Sequence, residues 1–145
     1  MGLSMARRFL LHILTVAAFA AGAQAAPVEI TDGWFRILPG ALPAAGYFTL
    51  KNNGAKPVSL TGAQSQGCGS LMLHMTHNMS GMVHMMEVAQ VEVPAGRTVK
   101  FATGGYHLMC NGPKLKTGTT VPVTLRFGDG TQISAPFAVR AANNQ

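Results

Sequence analysis

The segment Val121–Val139, VPVTLRFGDGTQISAPFAV, indicates the fold class more clearly than any other part of the chain. In its first half every second residue is apolar: Val121, Val123, Leu125 and Phe127. Gly128-Asp129-Gly130 is a turn signal that leads into the second half, Thr131–Val139. An apolar residue at every second position predicts a strand with one buried face. A glycine-containing turn between two such runs predicts a β-hairpin.

The rest of the chain repeats this pattern of short apolar runs separated by turn residues such as Asn52-Asn53-Gly54. We predict strands at Val28–Ile30, Trp34–Ile37, Ala45–Lys51, Val58–Ala63, Ser70–Met75, Met82–Val88, Val99–Phe101 and Tyr106–Cys110. Thr31-Asp32-Gly33 is predicted as a turn between the first two strands, and Thr76–Gly81 as a loop. No run has apolar residues at a sustained helical spacing, so we predict an all-β sandwich or barrel.

The first 25 residues have the pattern of a secretory signal peptide. Arg7 and Arg8 precede an apolar run that begins at Phe9, and Ala23-Gln24-Ala25 is a small-x-small cleavage site. The run is shorter than the roughly 20 residues that a membrane span needs. We therefore expect export to the periplasm by a cleaved signal peptide at 1–25, one domain at 26–140 and a disordered tail at 141–145.

The charged residues argue against two classes of function. Without the signal peptide the chain has nine Lys and Arg residues against five Asp and Glu, and the basic residues are scattered singly. Nucleic-acid-binding proteins cluster such residues, so we expect no nucleic-acid partner. No two acids have a spacing typical of general acid–base catalysis, and no nucleophile elbow or phosphate loop is present. We expect a protein that is not an enzyme.

Two cysteines, Cys68 and Cys110, remain after removal of the signal peptide. An even count in an oxidising compartment favours a disulfide, which here would enclose 41 intervening residues. Cys110 follows Met109 directly, so on an extended strand the two side chains point to opposite faces. Buried free thiols, or cysteine as a metal ligand, are the alternatives.

Methionine and histidine are confined to one window of the mature chain. Seven methionines and all four mature histidines lie between Met72 and Met109. Methionine often fills gaps in cores, but strands favour β-branched and aromatic residues. Thioether sulfur and imidazole together suit Cu(I), whereas Zn(II), Mg(II) and Ca(II) take thioether poorly or not at all. The window therefore predicts a Cu(I) site.

The spacing brings four of these residues to one end of the predicted sandwich. His107 and Met109 are separated by one residue on a strand, so their side chains leave on the same face, roughly 6.5 to 7 Å apart at Cα. His74 lies on the strand Ser70–Met75, and a strand returning after the loop would bring Met85 alongside it. We predict one Cu(I) ion per chain, held by His74, Met85, His107 and Met109. Met72 is interpreted as a packing residue.

This arrangement resembles the metal motif of the PCuAC copper chaperone family: His74, ten residues, Met85, twenty-one residues, His107, one residue, Met109. Similar segments cover nearly all of the mature chain: Trp34-Phe35-Arg36, Ala45-Gly46-Tyr47, Asn52-Asn53-Gly54, Val93-Pro94-Ala95-Gly96 and Gly104-Gly105-Tyr106-His107-Leu108-Met109. The resemblance implies a cupredoxin-like Greek-key β-sandwich, expected as a monomer, that binds Cu(I). It also implies copper supply to the CuA centre of cytochrome c oxidase, often alongside a Sco-type protein.

The chain differs from some PCuAC relatives, which carry a His/Met-rich tail that binds Cu(II). Ala141–Gln145 contains no such ligand. Near the predicted loop lie five further possible donors: His77, Met79, Met82, His84 and Met86. We expect these to be an exchangeable outer layer of ligands or a weak extra site, or else lid or packing residues.

Two other copper functions are considered. A blue-copper electron carrier needs Cys, then His, then Met along one loop, and nothing after Cys110 is His or Met. A periplasmic copper scavenging or storage protein would use the same four ligands, so it stays open as the alternative to delivery.

Overall fold

The computed structural model describes residues 27–143. The predicted signal peptide and the last two residues of the predicted tail lie outside this range. The described chain forms ten strands: β1 Val28–Ile37, β2 Ala44–Asn52, β3 Val58–Gln64, β4 Ser70–Met79, β5 Met82–Glu87, β6 Val91–Val93, β7 Thr98–Phe101, β8 Tyr106–Asn111, β9 Thr120–Phe127 and β10 Gln132–Ala141. Within these residues there is no helix long and apolar enough to cross a membrane. The predicted all-β class is confirmed.

The strands form a sandwich along one continuous hydrogen-bonded path, β5-β4-β8-β2-β1-β10-β9-β3-β6, with β7 pairing with β2 beside β8. β1 and β10 pair in parallel, and this pair joins the layer β5-β4-β8-β2-β1 to the layer β10-β9-β3-β6. Neighbours in the path are often distant in sequence, so the chain crosses repeatedly between the layers. This is the cupredoxin-like Greek-key sandwich that the resemblance implied.

Aromatic packing and one buried amide hold the two layers together. Phe48 of β2 packs against Phe137 of β10, with ring centroids 5.6 Å apart. Asn52, fully buried at the end of β2, donates from Nδ2 to the backbone oxygen of Val93 in β6 over 3.0 Å. The largest fully buried apolar side chains are Phe35, Phe48, Phe101, Phe137, Leu50, Leu60, Leu108 and Leu125. Each stabilises the fold by about 1.5 to 3 kcal/mol through its burial.

Besides one-residue shifts at several strand ends, the strands outside Thr76–Gly81 differ from the sequence prediction at three places. β1 is continuous, and the predicted turn is a bulge in it: the register with β2 shifts between Thr31 and Trp34, and Asp32 has a φ of 56°. The short strand β6 was not predicted, because three residues are too few to show an alternation. β10 extends to Ala141, the first residue of the predicted tail.

The loop predicted at Thr76–Gly81 is wrong. β4 continues to Met79 and β5 begins at Met82, so Ser80 and Gly81 alone form the turn. Both turn residues have positive φ, 52° and 80°, which is the backbone of a type I′ hairpin. The polar residues before the turn resembled a loop because this end of the hairpin has no buried face that would require apolar alternation.

A disulfide joins Cys68 and Cys110, so the predicted bridge is confirmed. Cys110 is fully buried, on the core side of β8, and Cys68 lies just before β4. Both cysteines of the chain are in this bond, so no thiol is available as a metal ligand. The bond ties the start of β4 to the end of β8.

Candidate metal centre

The predicted ligands lie on the solvent-facing side of the layer that contains β5, β4 and β8. Leu73 of β4 and Leu108 of β8 are buried in the core. Side chains alternate along a strand, so the residues adjacent to these two leucines, His74 and His107, point to the opposite side. We call this side of the layer the outer face and the core side the inner face.

His74 and His107 are direct partners in the pairing of β4 with β8, and their ring centroids lie 5.7 Å apart. His107 is 4% exposed, and His74 is half-buried. Nδ1 and Nε2 of His74 and Nε2 of His107 are buried without a hydrogen-bond partner in the described part of the chain. Buried polar atoms in proteins are nearly always paired. Three unpaired ring nitrogens in one place therefore indicate a binding partner that the polypeptide itself does not supply.

The backbone determines which nitrogen of His107 can bind an ion. Nδ1 lies 3.2 Å from the carbonyl oxygen of Gly105. A carbonyl can only accept, so Nδ1 carries the proton and donates it, and Nε2 keeps the lone pair with which imidazole binds metals. Burial lowers the pKa of His107; the Gly105 bond opposes this, and the charges of His74 and Arg36 add to the lowering. The ring is therefore neutral, and competent as a ligand, at neutral pH.

Two thioethers share the outer face with these rings. Met109 follows His107 by two residues on β8, and Met85 of β5 is paired with Thr76 of β4. A cavity of ≈ 490 Å³ opens here, and its wall includes His107, Met109 and Met85. Met85 is 58% exposed, so the cavity is accessible to solvent on the β5 side. His74 is not on the cavity wall but adjoins it through His107.

The structure thus brings the four predicted residues to one place on three adjacent strands. Within residues 27–143 there is no group of three or more His, Cys, Asp or Glu side chains that could hold a metal ion. The donors that the four residues offer to a metal are two imidazole nitrogens and two thioether sulfurs, none of which carries a negative charge. Such a set fits a soft ion of low charge far better than Zn(II), Mg(II) or Ca(II).

Met72 is a residue that sequence reasoning assigned to packing and that the structure places beside the site. It lies directly opposite Met109 across β4 and β8, is half-buried, and shares the outer face. Its position two residues before His74 on one strand was the signal for a shared face. Met72 does not line the cavity, which separates it from Met109.

Arg36 is the second residue at the site that the sequence did not predict there, although it belongs to Trp34-Phe35-Arg36, a segment shared with the PCuAC family. It lines the cavity and lies in a row across the sheet with Ala45 and Met109. Its guanidinium carbon is 5.6 Å from the ring centroid of Tyr47, and its Nε is buried without a partner among the described residues. A fixed positive charge beside uncharged donors disfavours Cu(II) relative to Cu(I), because Coulomb repulsion grows with the charge of the ion.

Comparisons with known protein sequences show a consistent relationship. Residues 28–139 match the model of the LpqE-like family, described as "Putative lipoprotein LpqE-like". A protein of Leifsonia xyli subsp. xyli named "Putative lipoprotein Lxx21020" is 36% identical over 129 residues, which are 87% of this chain and 76% of that protein. The region that matches the family model covers β1 to β9 and most of β10, and therefore includes all four predicted ligands.

Comparisons with solved structures identify PCuAC domains as neighbours. The Cu(I) form of DR1885 from Deinococcus radiodurans is 35% identical, has a TM-score of 0.66, and is covered for 85% of its length by 85% of this chain. The copper-bound PCuAC domain from PmoF2 has a TM-score of 0.67 with 81% of this chain and 96% of that domain covered. At 22% identity, the second likeness shows the fold alone.

Proposed function

Because this chain belongs to the LpqE-like family, we propose that it binds one Cu(I) ion through His74, Met85, His107 and Met109 and delivers it to another protein. The observation that carries the proposal is the group of buried, unpaired ring nitrogens on His74 and His107. These atoms lie beside a solvent-accessible cavity whose wall contains both thioethers. The DR1885 structure, 35% identical, was solved with Cu(I), which supports the choice of ion.

The donor set suits an ion that must be bound and then released in an oxidising compartment. Thioethers have no acidic proton and cannot join into a disulfide, so both remain available where thiols would oxidise. Their bonds to Cu(I) form and break without proton uptake. Met85, at the exposed side of the cavity, is the ligand that an incoming donor of an acceptor protein could displace first. The more deeply buried His107 would then be the last to let the ion go.

The proposed acceptor is the CuA-bearing subunit of cytochrome c oxidase, with a Sco-type protein as a further partner. The PCuAC resemblance supports this choice of acceptor. The family description and the name of the Leifsonia xyli relative are those of lipoproteins, which supports export. In this proposal the chain is a monomeric periplasmic carrier, not an enzyme, because it moves an ion and converts no substrate.

A transfer assay tests delivery directly. The Cu(I)-loaded protein is mixed with an apo CuA domain. The two proteins are then separated by gel filtration, and copper is measured in each. We expect copper to move to the CuA domain, and the His107→Ala variant to carry little copper into the assay. Retention of Cu(I) by the wild-type protein in the presence of excess apo acceptor would instead favour scavenging or storage.

A further inference from the structure

The hairpin of β4 and β5 extends beyond the rest of its layer. The last residue of β4 that pairs with β8 is Met75, opposite Tyr106. From Thr76 to Met79, the strand that pairs with β4 is β5 alone, apart from a hydrogen bond of 3.1 Å from the Thr76 amide to the backbone oxygen of Gly105. β5 is also the terminal strand of the hydrogen-bonded path, and every one of its side chains is exposed. The outer face of this part of the hairpin borders the cavity through Thr76, Val83 and Met85, whereas its inner face is open to solvent at Met79 and Met82.

On the inner face, the extension and the residue pair just before it present three directly opposed pairs of possible donors. The pairs are Met75 with Met86, His77 with His84, and Met79 with Met82. We call these six residues the inner-face ladder. Cβ atoms of directly opposed residues in antiparallel strands are about 4.5 to 5.5 Å apart. Two imidazoles at that separation, with a thioether pair on either side, can converge on one ion between the strands.

Core packing does not account for the ladder. The same face of β4 is buried at Leu71 and Leu73, nearer the disulfide, half-buried at Met75 and His77, and exposed at Met79. Met79, Met82 and Met86 are 65%, 61% and 52% exposed. Apolar side chains that are exposed together in this way indicate a binding function. The chemistry of the ladder, imidazole between thioethers, is that of a Cu(I) site.

The ladder is separate from the site around His107. Alternation along β5 places Met85 on the outer face and its neighbours His84 and Met86 on the inner face. The two sets of donors therefore lie on opposite sides of the same two strands. No residue belongs to both, so either site can be removed by substitution while the other is retained.

We propose that the inner-face ladder is a second Cu(I) site, with His77 and His84 as its central ligands and the flanking methionines supplying thioether sulfur. The site is more exposed than the first, so it exchanges its ion more readily and binds it more weakly. This inference goes beyond the proposed delivery function, because it concerns different residues and holds whether or not the first site delivers copper.

The test is an anaerobic Cu(I) titration of the exported, disulfide-intact protein in competition with bicinchoninate, followed in parallel by NMR of ¹³C-labelled methionine methyl groups. The variants are His77→Ala/His84→Ala and His107→Ala/Met109→Ala. Asn78→Ala is the matched control, because Asn78 lies beside His77 but on the outer face. His77, His84 and the control residue Asn78 are all near the free end of the hairpin, where substitution leaves the core intact.

We expect the wild-type protein and Asn78→Ala to bind two Cu(I) ions, and each double variant to bind one. Affinity for the first ion should change by no more than about twofold in His77→Ala/His84→Ala, since the sites share no ligand. The second ion should shift the methyl signals of Met79 and Met82. If His77→Ala/His84→Ala binds as many ions as the wild type, the proposal is wrong. The same holds if the hairpin signals move only when an acceptor domain is added, which would make the ladder a docking surface.

One further result separates this proposal from the proposed function. If the wild type binds a single ion and His107→Ala/Met109→Ala still binds it, the ladder is a site and the delivery site is not. If instead the wild type binds a single ion and that variant binds none, the delivery site stands and the ladder is not a site.

Discussion

Met72 and Met109 are directly opposed across β4 and β8, on the same outer face, yet Met109 alone of the two lines the cavity beside His107. The two thioethers are therefore matched in residue type, strand pairing and face, and differ in whether they reach the site. Substituting each methionine in turn therefore separates the loss of a metal ligand from the general effect of removing a methionine from this sheet.

Replacing Met109 with Ala should weaken Cu(I) binding by at least tenfold, about 1.4 kcal/mol, because it removes one of the ligands. Met72→Ala should leave the affinity nearly unchanged. Competition titration with a chromophoric chelator measures both. Equal losses for the two variants would show that the four-ligand assignment is wrong and that Met72 binds the ion as well.

Cu(I) affinity should depend on pH through imidazole protonation alone. A free His takes up a proton near about pH 6.5, and a protonated ring cannot bind a metal. Burial lowers the pKa of His107, so this ring stays neutral to a lower pH than a free imidazole. Affinity should thus be constant above about pH 7 and decline below about pH 6. The sulfur ligands add no step near about pH 8 to 9, the range of a thiol; a strong dependence there would contradict a thioether site.

Removing the disulfide should destabilise the protein. Cys68 and Cys110 are separated by 42 positions in sequence, so Cys68→Ser/Cys110→Ser should lower the free energy of unfolding by about 2 to 4 kcal/mol. Urea denaturation of the variant and the wild type measures this. Because both cysteines lie off the outer face, the folded variant should still bind Cu(I). A thiol assay on denatured, unreduced wild-type protein should detect no free thiol.

Asn52 should be the most sensitive polar residue of the fold. Its Nδ2 donates to the carbonyl oxygens of Lys56 and Val93, over 2.7 and 3.0 Å, and its Oδ1 accepts from the Gly54 amide over 2.9 Å. Asn52→Ala should lower stability by roughly 2 to 3 kcal/mol, since the buried carbonyl of Val93 loses its side-chain donor. The neighbouring Asn53 is exposed, and Asn53→Ala should change the urea midpoint little. Comparable midpoints for the two variants would contradict this role.

The sequence predicted those strands that have one buried face. The hairpin of β9 and β10 is the clearest case, because alternation between core and solvent is written into Val121–Val139. The prediction failed where that alternation is absent. The free end of the β4–β5 hairpin has no buried face, and the bulge at Asp32 keeps a strand continuous through residues typical of a turn.

The candidate site was predicted as a set of residue types but not as an arrangement. A spacing of two residues placed His107 and Met109 on one face, and this required only the geometry of a strand. The partnership of His74 with His107 depends on the register between β4 and β8, which no local pattern specifies. Arg36 reaches the site from β1 across β2, a relationship that exists only in the assembled sheet.

Because β1 and β10 run in parallel, the start of β1 and the end of β10 lie at opposite ends of the sandwich, so the two are not equivalent as points of attachment. β1 starts at Val28 and ends at Ile37, next to Leu38 on the cavity wall, so its ten residues run about 30 Å from the far end of the sandwich towards the metal centre. β10 runs in the same direction and ends beside Ile37. A tether, fusion partner or surface coupling placed before Val28 would therefore hold the protein with its copper cavity directed away from the support. The same attachment made after Ala141 would place the support beside the copper cavity.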